Sequence, residues 1–215
     1  MHGGMDGQLD HYGYPEDHVF DWTYEELQTL DVGDGEKMPT LEQLFELSSE
    51  APEMLLNIEV KEPNTPEIAA RYDIALASNV LCNLISKHRV AKRTMISGFS
   101  AKYLQAIKVA SAGHRDFFIQ SLRNEDGSPD AEDYQIDAEF HGVNIIYNQL
   151  NRQLVQRFKS EERPMLIGVW YWLKLNQEDQ TMYNRVFKTC SPIDFFYSDK
   201  PLQAMEARAA IQDCQ

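Results

Sequence analysis

The chain has no glycine-rich phosphate turn. Neither G-x-G-x-x-G nor G-x-x-x-x-G-K-[S/T] occurs in its 215 residues, which sets aside the nucleotide-binding α/β folds that depend on one. Cysteine is scarce. Cys82, Cys190 and Cys214 are odd in number, far apart and without a C-x-x-C spacing, so they frame no disulfide scaffold and fit a reducing compartment. Positive charge is short as well: 20 lysines and arginines against 34 acids leave a net charge of -14, with a pI near 4.8. Nucleic-acid binding needs a basic face to displace counterions, and that balance argues against it. Adsorption to anionic lipid is disfavoured on the same ground. No stretch approaches the roughly 20 apolar residues of a membrane span. The start, MHGGMDGQLDHYGYPEDHVF, holds neither a basic region nor an apolar core, so no secretory leader is expected and the expected compartment is the cytoplasm.

What is present is ordinary globular material, 43% hydrophobic and 25% charged, long enough for one sizeable core. Residues 1–22, rich in Gly, Asp, His and Tyr, read as loop. Thr23-x-x-Glu26 has the form of a capping box and opens a short helix to Leu30. Pro39-Thr40 starts a helix with Leu41, Leu44, Phe45 and Leu47 on one stripe. Met54–Lys61 (MLLNIEVK) is a strand, and Thr65-Pro66 opens a long helix to about His88. Strands over 93–99, 117–122, 142–147, 165–172 and 193–198 then alternate with helices over 100–110, 151–160, 180–189 and 201–211. The segment 123–137 is polar, a loop or insertion. Apolar strands alternating with amphipathic helices predict a parallel sheet covered by helices, in one domain with β/α units from 54 to 215.

The most informative stretch is Met54–Lys61. Side chains two apart leave a strand on the same side, so Glu59 and Lys61 put an acid and a base side by side where the strand enters Glu62-Pro63-Asn64-Thr65-Pro66, a turn. The plain alternative is a surface ion pair, which contributes little. The functional one is a metal-binding carboxylate beside a cation for a bound anion. Further polar residues, Ser97, Gln120, Asn148, Trp172 and Asp199, recur near later strand ends. With no phosphate turn, that placement favours a (β/α) barrel, whose chemistry sits at the C-terminal ends of its strands. About six strands are counted, against the eight of a closed barrel.

The ordered motifs carry a resemblance. HGG-x-x-G-x-L at 2–9 is followed by T-Y-E-E-L at 23–27, P-T-L-E-Q at 39–43 and N-I-E-V-K at 57–61. Then come S-G-F-S at 97–100, a Trp-bearing strand at 170–172 and D-x-x-x-S-D-x-P at 194–201. Over nearly its whole length the chain resembles the glycerophosphodiester phosphodiesterase family. The resemblance implies a phosphatidylinositol-phospholipase-C-like (β/α)8 TIM-type barrel with a divalent metal, Mg²⁺ or Ca²⁺. It also implies hydrolysis of a small-molecule glycerophosphodiester to glycerol 3-phosphate and an alcohol. In that scheme Glu59 is a metal ligand, Lys61 a phosphate contact and His2 the general acid for the leaving alkoxide. Trp172, or Trp170 in a shifted register, walls the glycerol side. Against these stand plainer readings, a terminal His2 without a role and a Trp that is core beneath a helix. Complete members carry upstream strands with His-Arg-Gly and with Glu and Asp; the chain begins at the second histidine motif, so an incomplete barrel of about six strands is expected. Two other readings stay open: a non-catalytic binding or structural protein of the same fold, and an unrelated α/β interaction scaffold.

Overall fold

The computed structural model describes residues 8–61, 63, 65–112, 118–122, 140–160, 164–171, 179–188 and 193–210. His2, Trp172, Cys190, Cys214 and the polar segment 123–137 lie outside them. One sheet contains six strands in chain order: β3 (Leu56–Val60), β4 (Thr94–Gly98), β5 (Phe118–Leu122), β6 (Gly142–Ile146), β7 (Leu166–Trp170) and β8 (Phe195–Phe196). The pairs from β4 to β8 are parallel. Helices α3 (Pro66–Ala69), α4 (Ile74–Lys87), α5 (Ala101–Ala110), α6 (Arg152–Ser160), α7 (Gln180–Lys188) and α8 (Pro201–Ala210) follow the strands. This is the α/β fold of an incomplete (β/α) TIM-type barrel, as the alternation of the two periodicities predicts.

The chain divides into two compact units, Met1–Thr94 with Gln105–Phe117, and Met95–Leu104 with Phe118–Gln215. In the first, the stretch expected to be loop is structured. Strands β1 (Gln8–Leu9) and β2 (Tyr14–His18) pair antiparallel, with short 3-10 turns over Asp10–Tyr12 and Val19–Asp21. Tyr14-Pro15-Glu16-Asp17-His18 shows no apolar alternation, and so hides its strand. Its support is local: Tyr14 packs edge-on against Trp22 at 4.6 Å, and the Trp22 indole donates to Asp17 at 3.2 Å.

Thr23 and Thr40 each close a reciprocal capping box, with Glu26 and Gln43, at the starts of α1 (Tyr24–Leu27) and α2 (Leu41–Ser48). Helix α2 buries Phe45 and Ser48, while Leu44 and Leu47 are exposed. The inward line is therefore 41, 45 and 48, spaced i, i+4, i+7, and the expected stripe is rotated by one residue. The Arg93 guanidinium fastens the end of α2, donating to the carbonyls of Ser48, Ala51 and Met54 and to the Ser48 hydroxyl. These carbonyls lie at and just beyond a helix C-terminus, which leaves such groups without intrahelical partners. The long helix expected from 65 to 88 is broken. It is a single turn, α3, then Tyr72 and Asp73, then α4, because the Asp73 carboxylate accepts the amide of Leu76 at 2.9 Å and starts a new helix. Ser78, Leu81, Cys82 and Ile85 form the buried stripe of α4.

In the second unit the two sides of the sheet differ in chemistry. Val143, Ile145, Ile167 and Val169 pack with Leu150, Val155, Phe158, Met182 and Val186 in one apolar core under α6 and α7. Alternation then turns Asn144, Ile146, Gly168 and Trp170 to the opposite face. Helix α8 adds Ala204 and Ala207 against Tyr183. Strand β8 is shorter than its sequence suggests, since only Phe195–Phe196 take regular strand geometry. Asp194, just before it, is a staple: one carboxylate oxygen accepts from the Ile167 amide and from the Lys159 ammonium, each at 2.7 Å.

Candidate functional site

Strand β3 buries Leu56 and Val60, leaves Ile58 partly buried and exposes Asn57 and Glu59, and Lys61 is exposed just beyond its end. The period of two thus turns a polar row outward. The Lys61 ammonium donates to Glu59 Oε1 at 2.7 Å, with the side chains 53% and 36% exposed. Both remain accessible to a solute. An ammonium has three N–H donors, and this contact uses one. Beyond Lys61 the chain turns at Pro63 and enters α3, where Thr65 caps the amide of Ile68.

The hairpin missed in the sequence reaches the segment after α3. Arg71 donates to Asp21 at 2.6 Å, and Phe20 packs edge-on against Tyr72 at 5.2 Å. The Arg71 hydrogen bond holds the Asp21 carboxyl below its ordinary range, although both groups are largely in solvent. The 3-10 turn at 19–21 is thereby fixed to residues 71–72, which follow the strand bearing Glu59 and Lys61. A signal existed in Thr23-Tyr24-Glu25-Glu26, which fixes where the hairpin must end, but nothing in 8–18 announces pairing.

The second unit contains the remaining described polar candidates, and two of them are buried within strands. Ser97, next to last in β4, and Gln120, in the middle of β5, are fully buried; Ser97 is close to its strand exit and Gln120 is not. Strand registers Ser97↔Gln120 and Gln120↔Gly142 put them on the face that carries Asn144. There Gln120 donates to the Tyr197 hydroxyl at 2.7 Å. Asp199 does sit beyond β8, where it accepts from the Tyr171 hydroxyl at 2.6 Å. The Arg185 guanidinium donates to the Asn148 carbonyl just beyond β6. Trp170 is partly buried at the end of β7, on the face away from α6 and α7, with Phe99 edge-on at 5.5 Å. It is therefore not core beneath a helix.

Among the described residues no group of three or more His, Cys, Asp or Glu side chains comes together. A hard divalent cation takes several oxygen ligands, and Glu59 already engages Lys61. The described residues therefore do not by themselves fit Mg²⁺ or Ca²⁺. The arrangement on β3 can still receive an anion: an exposed ammonium with donors to spare, oriented by a neighbouring carboxylate. Among the described residues no helix is long and apolar enough to cross a membrane.

Comparison with known proteins adds to this geometry. The profile of the glycerophosphoryl diester phosphodiesterase family matches residues 3–195. A search of curated proteins returns no match. Solved structures do align. A candidate glycerophosphodiester phosphodiesterase from Galdieria sulphuraria gives a TM-score of 0.80 at 22% identity, covering 97% of this chain and 79% of that one. A glycerophosphodiester phosphodiesterase from Parabacteroides distasonis gives 0.70 at 22% identity, covering 97% and 77%. An Oleispira antarctica phosphodiesterase, solved with the product sn-glycerol-3-phosphate, gives 0.69 at 18% identity, covering 90% and 73%. At these identities the likeness is one of fold.

Proposed function

The chain belongs to the glycerophosphoryl diester phosphodiesterase family, a family of phosphoric diester hydrolases, and from that premise we propose that it cleaves small glycerophosphodiesters to glycerol 3-phosphate and an alcohol at the end of β3. The observation that carries the proposal is the exposed Lys61 ammonium, 2.7 Å from Glu59. Phosphodiester cleavage concentrates negative charge on the phosphoryl and leaving oxygens, so positioning and electrostatic stabilisation are what a protein supplies. Lys61 provides a positive point charge for a phosphoryl oxygen, and Glu59 holds it in place. The product bound in the Oleispira relative is what this reaction would release. His2, outside the described residues, enters on the motif alone as proton donor to the leaving oxygen, a role suited to a group that titrates near neutrality. Trp170 or Trp172 would flank the glycerol. Glu59 is also assigned as one carboxylate of a divalent-metal site, a role tested by metal dependence.

Hydrolysis of glycerophosphocholine, followed as released glycerol 3-phosphate, is the direct test. Lys61→Ala is expected to lower kcat/KM by about 100-fold or more. Its melting temperature should barely move, because an exposed ion pair contributes little to stability. Glu59→Gln should abolish any stimulation by Mg²⁺ or Ca²⁺ that a chelator reverses. Unchanged turnover in both variants would remove the assignment. A wild-type chain that binds glycerol 3-phosphate through Lys61 without turnover would establish the non-catalytic reading of the same fold.

A further inference from the structure

Within the second unit, strand registers place Ser97, Gln120, Asn144, Gly168, Trp170 and Phe195 on one face of the sheet. At its centre Gly168 leaves a slot. A Cβ there would lie 1.7 Å from Asn144 Oδ1 and 2.0 Å from the Phe195 ring, so only the lack of a side chain lets both occupy their positions. Asn144 is 0% exposed, and neither its Oδ1 nor its Nδ2 has a hydrogen-bond partner among the described residues. The same holds for the buried Ser97 hydroxyl and for the Trp170 indole nitrogen, two positions beyond Gly168 on the same face. A leucine at position 144 would carry no polar side-chain atom to satisfy. An amide buried without partners loses its hydration and regains nothing for it. Buried polar atoms in a folded protein almost always find a partner, and where the chain supplies none a buried water commonly does.

We propose that the Asn144 carboxamide, seated over Gly168, is a binding site for a hydroxyl oxygen. The chemistry selects the ligand. Asn144 offers one acceptor and one donor group, Ser97 offers both roles and Trp170 only a donor. No ionised side chain occupies the register positions of this face among the described residues. An anion would meet Asn144 Oδ1, and a cation would meet the Trp170 and Asn144 N–H groups. A neutral group that both donates and accepts satisfies both ends of the Asn144 carboxamide. Two sources share that chemistry: a resident water, and a hydroxyl of a glycerol-bearing small molecule such as glycerol 3-phosphate, a ligand class that rests on the diester reading above.

Crystals of the whole chain grown without polyols, then soaked with glycerol 3-phosphate, decide the matter. The expected result is an ordered oxygen within about 2.7–3.2 Å of Asn144 Oδ1 or Nδ2. Persistence of that oxygen unchanged after the soak identifies resident water. Its replacement by a glycerol hydroxyl, or its appearance only after the soak, identifies the substrate source. Absence of any oxygen from both crystals overturns the proposal. The Asn144→Leu crystal should lose the oxygen, and an oxygen retained there would also overturn the assignment. Should that variant fail to fold, the two wild-type crystals decide alone. A wild type that holds the oxygen but hydrolyses no diester would sink the diester reading and leave this site standing.

Discussion

A glycine in the middle of a buried strand is costly in backbone entropy, and Gly168 has a specific reason to be there. The atoms that would meet its Cβ belong to Asn144 and Phe195, both packed on the same face of the sheet. Gly168→Ala is expected to destabilise the chain by about 1–3 kcal/mol, the usual cost of overpacking, seen as a drop of several degrees in melting temperature. An unchanged melting temperature would show that the ring and the amide move aside freely. Asn144 was not legible in the sequence. It stands inside GVNIIY, and a strand buried on both faces reads as one apolar run whatever it carries at its centre. Glu59 and Lys61 were legible, because a spacing of two in a strand fixes a shared face without any tertiary information. Cys82 was legible only as an isolated thiol. Its burial pushes the thiol pKa up to about 11, so it should resist alkylation in the native state.

Among the elements, α2 and α4 show how charge joins two helices of the first unit. Glu42, near the start of α2, accepts from the Lys87 ammonium at the end of α4, and His88 Nε2 lies 3.2 Å from the same carboxylate oxygen. Hydrogen bonding to Lys87 and then to His88 lowers the Glu42 pKa, and the same contact raises that of Lys87. The Glu42 contribution is present above the ordinary carboxylate value of 4.5 and is lost as pH falls through the lowered one. The Lys87 contribution is present below 10.5 and is lost as pH rises through the raised value. Melting curves of wild type and Glu42→Gln should therefore differ at neutral pH and converge in acid. A gap that widened on acidification would contradict this. The sequence located α2 and the body of α4, but missed the break before α4 and mistook the buried line of α2. Leucines 44 and 47 are as apolar as the residues that pack, and only the neighbouring elements decide which line turns inward.

For the whole molecule, the β/α alternation was legible because periods of two and of about 3.6 are properties of the chain itself. The hairpin at 8–18 was not, since aromatic contacts and the Trp22–Asp17 hydrogen bond, rather than a pattern, define it. Net charge acts at this scale too. With -14 on the chain, an anionic diester approaches against a repulsive long-range field, however favourable Lys61 is at contact. Raising ionic strength from about 10 to about 150 mM shortens the screening length from roughly 30 to roughly 8 Å. Both kcat/KM for an anionic diester and the melting temperature should then rise. A fall in kcat/KM with salt would mean that local positive potential, not net charge, governs encounter.

The interruption between α3 and α4 has a mechanical consequence. Since Asp73 starts α4 afresh, the turn built on Thr65 and Pro66 is not the first turn of the long helix. Adding or removing a residue at 70–72 would alter the ground next to Arg71 and Tyr72 without rotating Ser78, Leu81, Cys82 and Ile85 away from the core. An uninterrupted helix would transmit about 100° of rotation for each residue inserted. The shape of the ground beside β3 can in this way be remodelled by chain-length variation while the scaffold beneath it keeps its phase.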